Sequence, residues 1–366
     1  MVYRAIGLMS GSSLDGLDIA FVSFEEIRGK WTFDLRAQKC ISYTDLWQKR
    51  LKNAAELSAK GFVQLDHDLG VFMGNAVKDF IEENTLDHQV QLIVSHGHTI
   101  FHDPQIGIST QIGSAAAIAA INSINVVDQL RSLDVALGGQ GAPIVPIGEK
   151  YLFPEYQSFL NLGGIANISF HKGEETKGYD ITVANQALNY LAQLNGTDFD
   201  QDGQIAENGQ VDTALLTALN KLDYFNQQAP KSLSNQYFSE AIIPLLDSSN
   251  IPIENQLRTY TEHIAMQVAY AVGIELSNSG NTDSEQKILT TGGGAKNKFL
   301  TKRIETAIAP YGFQVETADP AIIDYKEAII MGLLGVLRWR EENTVLANTG
   351  ASRPSIGGAV WIGQPY

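Results

Sequence analysis

The sequence predicts an α/β protein of two related domains facing each other across a cleft. Three observations point there. The chain is 366 residues long, enough for two domains that each bury a core. A strand, a glycine turn and a returning strand occur near the N-terminus and again from Ser158, a weak internal repeat at half-chain spacing. A third glycine turn, Gly292-Gly293-Gly294, sits between a strand candidate and a helix candidate.

The elements follow in order. Val2 to Leu8 is β-prone, Met9 to Leu17 is a polar turn, and Asp18 to Phe24 resumes an apolar strand pattern. Apolar residues at helical spacing predict helices over Thr44 to Lys60 and Val63 to Glu83. Val90 to Ser95 reads as a buried strand ending at His96-Gly97-His98, Ser114 to Ile121 as a helix, and Asn125 to Val127 as a strand. The second hairpin comprises Phe159 to Leu162, the turn Gly163-Gly164-Ile165-Ala166-Asn167, and Ile168 to His171. Asp198 to Gly209 reads as an acidic loop, Thr259 to Leu276 as a long helix, Ser277 to Ser284 as a polar loop, Lys287 to Thr291 as a strand and Glu327 to Arg340 as a helix. The domain boundary falls between Gly148 and Glu155, giving domains of residues 1–150 and 151–366.

Composition narrows the function. The formal net charge of −15 repels phosphate backbones, so no nucleic-acid partner is expected. A bound polyphosphate must then be held by backbone amides, helix N-termini and a metal. A single cysteine, Cys40, forms no internal disulfide and no cysteine-based zinc site. The N-terminus lacks the layout of a signal peptide and no stretch is apolar over membrane-spanning length, so the expectation is a cytoplasmic protein with no membrane partner.

Five constellations carry chemistry. Gly11-Ser12-Ser13-Leu14-Asp15-Gly16-Leu17-Asp18 has glycines at P-loop spacing, but Leu17-Asp18 stands where that motif needs Lys-Ser/Thr. A turn between strands can still aim several N–H groups at an anion, or it is an ordinary polar hairpin loop. Asp15 or Asp18 can hold Mg²⁺. The pair Gly163-Gly164, with Asn167 two residues beyond Ile165, lets backbone approach a ligand closely. Gly292, Gly293 and Gly294 free N–H groups for a nucleotide. Asp180 is either a general base near a phosphate turn or a turn-capping carboxylate. Arg131 either clamps a carboxylate or phosphate, or pairs with Asp128 or Asp134. The run Gly138 to Gly141 reads as a mobile or tightly turned loop. His96, His98 and His102 read as polar residues at a strand end rather than a zinc site, since no carboxylate-bearing helix pattern accompanies them.

In this order the motifs resemble the anhydro-N-acetylmuramic acid kinase family. The resemblance lies in Ile6 to Asp18, Ser95-His96-Gly97-His98-Thr99, Arg131 to Pro146, Asn161 to Ser169, Pro230-Lys231-Ser232, Gly292 to Asn297 and Thr349 to Pro354, and spans Tyr3 to about Trp361. It implies a two-domain actin/hexokinase-like (RNase H-like) fold, ATP with Mg²⁺, and a role in recycling cell-wall sugars. The implied reaction opens the 1,6-anhydro ring with water and phosphorylates O6. By position Asp180 resembles the general base, and Arg131, Thr99 and Glu327 the sugar-binding residues. Gly11 through Asp18 would hold phosphates, with Asp15 on the metal. The first domain would then carry the phosphate hairpin and sugar-binding loops, and the second the catalytic aspartate and nucleotide-binding glycine turns.

Two departures are visible. After the aspartate the family pattern reads Thr-Gly-Pro-Gly-Asn, whereas this chain has Ile181-Thr182-Val183-Ala184-Asn185, and His98 stands where the family commonly has Gln. A plain sugar kinase and a non-catalytic nucleotide-gated sugar-binding protein therefore remain as alternatives. A glycoside hydrolase is disfavoured, because it has no need of three glycine turns. The expected partners are an amino sugar and ATP, with a homodimer as the assembly to test. Closure over substrate is expected to use Gly138 to Gly141 and the boundary near Gly148.

Overall fold

A computed structural model describes residues 1–11, 14–173, 175–229, 231–279, 286–346 and 349–363. Ser12 and Ser13, two of the expected phosphate-turn residues, lie outside the described residues, as do Pro230 and much of the loop expected after Leu276. The chain divides into two compact units, Met1–Pro154 with Tyr325–Tyr366, and Glu155–Asp324.

The first unit is built on a seven-stranded sheet. Strands β1 (Val2–Ser10), β2 (Gly16–Ile27) and β3 (Lys30–Ser42) form an antiparallel meander. β4 (Leu92–Asp103) lies parallel to β1, and β6 (Val126–Asp128) parallel to β4. β5 (Ile108–Ile112) pairs antiparallel with the far end of β4. β1 reads as continuously apolar because it is buried on both faces. Ile6 and Leu8 join a core with Leu65, Leu69, Met73 and Val77 of the helix Ala59–Glu83. Gly7 faces the other way, where a Cβ would stand 1.8 Å from the Ala328 carbonyl oxygen of the helix Pro320–Trp339.

The second unit repeats the plan. β7 (Ser158–Leu162), β8 (Ile165–Lys172) and β9 (Glu175–Val183) form an antiparallel meander. β10 (Gln286–Thr291) runs parallel to β7 and β11 (Phe313–Thr317) parallel to β10. Its core joins Leu160, Ile168, Val183 and Ile288 to Leu257, Tyr260 and Ile264 of the helix Ile253–Ser279, and to Leu300 and Ile304 of the helix Lys298–Ile308. The inner order, two antiparallel strands beside a first strand and two parallel ones, is thus the same in both sheets. It is the duplicated RNase H-like arrangement of the actin/hexokinase-like fold. β12 (Ala359–Trp361) adds an antiparallel edge to β6 in the first unit alone.

Several elements differ from expectation. Each hairpin has a third strand, β3 and β9, which the expected elements did not include. The first turn shortens to residues between Ser10 and Gly16, so Gly16, Leu17 and Asp18 are strand residues; Leu17 is fully buried in the core and offers a ligand no side chain. The second turn shortens too, because β8 begins at Ile165 and Asn167 lies within it. Thr44 to Lys60 breaks after Lys52 into a short 3₁₀ turn. The expected acidic loop at Asp198 holds a 3₁₀ turn and a short helix, Gln204–Asn208. The closing segment from Tyr325, Glu327 included, packs with the first unit rather than the second. Gly7 and the glycines Gly332 and Gly335 bring that helix onto β1, β2 and β4, through Phe24 and Val94.

Candidate active site

In the first unit, the end of β1 lies beside His98 within β4, and the two strands deliver the polar residues. Ser10 Oγ lies 2.8 Å from the Tyr43 hydroxyl and 3.0 Å from His98 Nδ1. Burial pushes the Tyr43 phenol up to about 12 and the His98 imidazole down to about 4. Both are therefore neutral near pH 7, and this chain ties the end of β1 to β3 and β4. The Asp15 carboxylate accepts from the Gly16 N–H at 3.0 Å, and the side chain is exposed. Gly16 is glycine for packing, since a Cβ there would lie 2.6 Å from the Ile41 carbonyl oxygen.

Arg131 is oriented by His96 and Gly141. Its Nε donates to His96 Nε2 at 2.9 Å and its Nη1 to the Gly141 carbonyl at 2.7 Å. His96 Nε2 must accept, so its proton sits on Nδ1, which lies 3.0 Å from the Gly97 carbonyl. Burial, then the nearby guanidinium, hold that imidazole down at about 3. Asp134 accepts from the Gly141 N–H and the Thr349 hydroxyl, at 2.7 and 2.8 Å. Gln140 N–H donates to the Thr349 carbonyl at 2.9 Å. The glycine run is thus the tightly turned loop of the two readings, pinned at several points. Gly148 packs against Ile330, where a Cβ would stand 2.5 Å from its methyl carbon.

Thr99 is exposed on β4, and its hydroxyl accepts from Gln111 Nε2 at 3.3 Å. Glu327 keeps some exposed surface, yet loss of hydration holds its carboxyl above the ordinary range, opposed by Lys326 and Arg131 and assisted by Glu149 and Asp15. Those influences place Asp15, Arg131 and Glu327 in one electrostatic neighbourhood.

In the second unit, Asp180 stands on β9 opposite Asn167 on β8. The register slips there, because Asn167 faces Asp180 while Ala166 faces Thr182. Ile181 is the extra residue of this bulge, which re-aims the strand at Asp180. Asp180 Oδ2 accepts from the Leu233 N–H at 2.9 Å, and its carbonyl accepts from the Tyr224 hydroxyl at 2.6 Å. Where the family pattern has Gly-Pro-Gly, Thr182, Val183 and Ala184 are fully buried. Thr182 Oγ1 lies 3.1 Å from His263 Nε2, and Tyr260 donates to the Val183 carbonyl at 3.0 Å. Packing and these bonds hold the segment in place.

The two glycine turns of this unit meet at the start of the helix Asn185–Leu194. The Gly163 carbonyl accepts from Asn185 N–H at 3.1 Å, and the Gly164 carbonyl from Ala184 N–H at 2.8 Å. Gly292 has a positive φ of 79° and fits against Asn161 and Leu162, where a Cβ would lie 2.5 Å from Asn161 Oδ1. Gly294 packs on Leu162 in the same way. Gly293 is the open one, with no atom nearer than 3.8 Å to a built Cβ. The helix expected directly after these glycines starts only at Lys298, beyond a 3₁₀ turn, with Asn297 as its N-cap.

Gly293 and Gly294 line a cavity of about 330 Å³ with Asn185, Leu188, Phe199 and Gln201. That volume is in the range of small-molecule sites. Leu188 and Phe199 supply apolar wall, and the amides of Asn185, Gln201 and Asn297 supply donors and acceptors. Asp200, Asp202 and Lys296 add charge to the lining. Of the cavity's helical and loop residues, Asn185, Lys296 and Asn297 fall in motifs visible in the sequence and Phe199 to Asp202 in the acidic, glycine-containing stretch at Asp198, whereas Leu188 and Asn189 carried no signal. Tyr224 and Leu233, which touch Asp180, carried none. Among the described residues no group of three or more His, Cys, Asp and Glu could hold a metal. A single exposed carboxylate such as Asp15 suits Mg²⁺, which keeps most of its water and takes the rest from phosphates.

Known proteins match this chain along its length. The family model for anhydro-N-acetylmuramic acid kinase matches residues 3–363. An anhydro-N-acetylmuramic acid kinase of Vibrio vulnificus is 34% identical over 95% of both chains. Those of Hydrogenovibrio crunogenus and Sulfurimonas denitrificans are 32% and 31% identical over 97% of this chain, covering 97% and 98% of theirs. A solved activator of 2-hydroxyisocaproyl-CoA dehydratase from Clostridium difficile, with bound ADPNP, overlaps loosely, at a TM-score of 0.44 and 14% identity over 92% of this chain and 96% of that one. The strand order of the two sheets stands independently of that overlap. Matched from end to end, the chain belongs to the anhydro-N-acetylmuramic acid kinase family.

Proposed function

We propose that the protein is an ATP-dependent kinase that opens the 1,6-anhydro ring of 1,6-anhydro-N-acetylmuramic acid with water and phosphorylates O6, giving N-acetylmuramic acid 6-phosphate and ADP. The observation that carries this reading is the placement of Asp180. It lies at a bulge of the sheet whose two glycine turns converge beside a nucleoside-sized cavity. MgATP, when bound, supplies the phosphoryl group and the metal charge that neutralises it.

Asp180 takes a proton from water as the water oxygen bonds to C1. The C1–O6 bond breaks, its electron pair stays on O6, and O6 accepts the phosphoryl group. The Leu233 N–H on Oδ2 favours the ionised carboxylate that a base requires. Arg131, its Nε and Nη1 already fixed, presents a held guanidinium to the lactyl carboxylate of the sugar. Thr99 and Glu327 contribute on the sugar side. Gly163, Gly164, Asn167 and Gly292 to Gly294 hold the nucleotide, the turn from Gly11 to Asp15 the phosphates, and Asp15 the Mg²⁺. We place the reaction in the cytoplasm, where ATP is supplied, within recycling of cell-wall sugar. Asp180→Asn is expected to keep nucleotide affinity and lose ~10²-fold or more in turnover. Near-normal turnover in that variant removes Asp180 from the chemistry.

A further inference from the structure

One short stretch of chain grips Asp180 at three points. The Asp180 N–H donates to the Lys231 carbonyl at 3.1 Å, its carbonyl accepts from the Tyr224 hydroxyl at 2.6 Å, and Oδ2 accepts from the Leu233 N–H at 2.9 Å. The stretch is itself braced. Lys231 Nζ donates to the Tyr224 carbonyl at 3.1 Å and lies 4.4 Å from the centre of the Tyr224 ring. These contacts fall where the β8–β9 register slips, so the strand ladder alone does not fix the aspartate.

Both bracing groups sit in places that cost them hydration. Tyr224 is 4% exposed, and burial, then the negative Asp180, push its phenol far above the ordinary range. It therefore stays a donor. Lys231 is half-buried, and burial lowers its ammonium below the usual value. A partly dehydrated cation over a ring and a carbonyl is a costly way to build a plain loop.

We propose that Tyr224 and Lys231 are positioning residues for Asp180, locking the 231–233 loop so that the Leu233 N–H holds one carboxylate oxygen and fixes the direction of the side chain. This rests on the reading of Asp180 as the general base. A carboxylate that loses a backbone N–H donor becomes harder to ionise. Loosening the loop must therefore raise the Asp180 pKa and lower the fraction of productive carboxylate. The ionisable groups around this contact include Tyr224 and Lys231 from the loop side and Tyr179 from β9, while Tyr237, itself influenced by Asp223, acts on Tyr224. Each of these tyrosines is held above the ordinary phenol value, far from the usual carboxylate range.

The test compares Tyr224→Phe, Lys231→Met and Lys231→Arg with the unaltered protein and Asp180→Asn. Two readouts are taken: the pH dependence of kcat and KM for the anhydro sugar, and the carboxyl ¹³C titration of Asp180, identified as the signal absent from Asp180→Asn. Tyr224→Phe keeps the ring under Lys231 and removes only the hydroxyl. It is expected to lower kcat ~10-fold with KM changed less than ~2-fold, and to move the acidic limb and the ¹³C midpoint up by about 0.5–1 pH unit. Lys231→Met should do the same, and Lys231→Arg should recover most of the loss. Unchanged midpoints and kcat in Tyr224→Phe and Lys231→Met, with Asp180→Asn inactive, overturn the positioning role alone. Normal turnover in Asp180→Asn overturns the assignment of the base instead. The ¹³C midpoint needs no turnover, so an unmoved midpoint counts against the positioning role even in an inactive protein.

Discussion

Asp180 shows how a single carboxylate gains a direction from its surroundings. A bulge turns its strand, a backbone N–H takes one oxygen, and a buried tyrosine fixes its carbonyl. Arg131 is treated the same way by His96 and Gly141. Arg131→Lys keeps the charge but loses the planar fork, so KM for the sugar should rise ~10-fold or more with nucleotide affinity unaltered; equal KM values would remove Arg131 from sugar binding. His98 offers a pH prediction. Its folded value, about 4, lies below the ordinary histidine value. Below pH ~6.5 the unfolded chain therefore binds a proton that the folded chain refuses. His98 contributes stability above that pH and loses it as pH falls toward 4. The urea midpoint of His98→Gln should fall less than that of the unaltered protein between pH 7 and 5. Parallel curves would show that His98 takes up its proton as readily in the fold as in the unfolded chain. The sequence singled out Asp180, Arg131 and Thr99 as candidates by motif, but Tyr224 and Leu233 reach Asp180 from more than 40 residues away through loop conformation, which leaves no periodic trace.

At the level of elements, glycines divide into those that admit a neighbour and those that open a space. Gly7 admits the helix Pro320–Trp339. Gly7→Ala puts a methyl group into the Ala328 carbonyl and should destabilise the fold by about 1–3 kcal/mol or more, read as a lower urea midpoint. An unchanged midpoint would mean the helix stands further off. Gly293 opens a space. Gly293→Leu fills the cavity side of the turn without a backbone clash, so nucleotide affinity should fall at least ~10-fold while Tm holds. Retained affinity would move the nucleotide elsewhere. The strands β1, β7 and β10 were legible because buried strands read as apolar runs. β3 and β9 were missed, although in β3 Trp31, Phe33, Leu35 and Ala37 alternate with polar residues, the period-2 pattern of a half-buried strand.

On the scale of the whole molecule, the internal repeat seen in the sequence is a repeat of strand order. Two sheets share the same antiparallel meander and parallel pair, although their turns differ in residues. The first boundary was legible as a glycine- and proline-bearing stretch near residue 150. The second, at Asp324/Tyr325, was not, because the chain crosses it inside the continuous helix Pro320–Trp339, and a helix gives no boundary signal. Whether this molecule couples ring opening to phosphorylation is tested most directly by ADP release from MgATP with and without 1,6-anhydro-N-acetylmuramic acid, together with the mass of the sugar product. The prediction is sugar-dependent ADP release and a product heavier by one phosphoryl group plus one water. ADP release that ignores the sugar, or a product heavier by the phosphoryl group without the water, would contradict it.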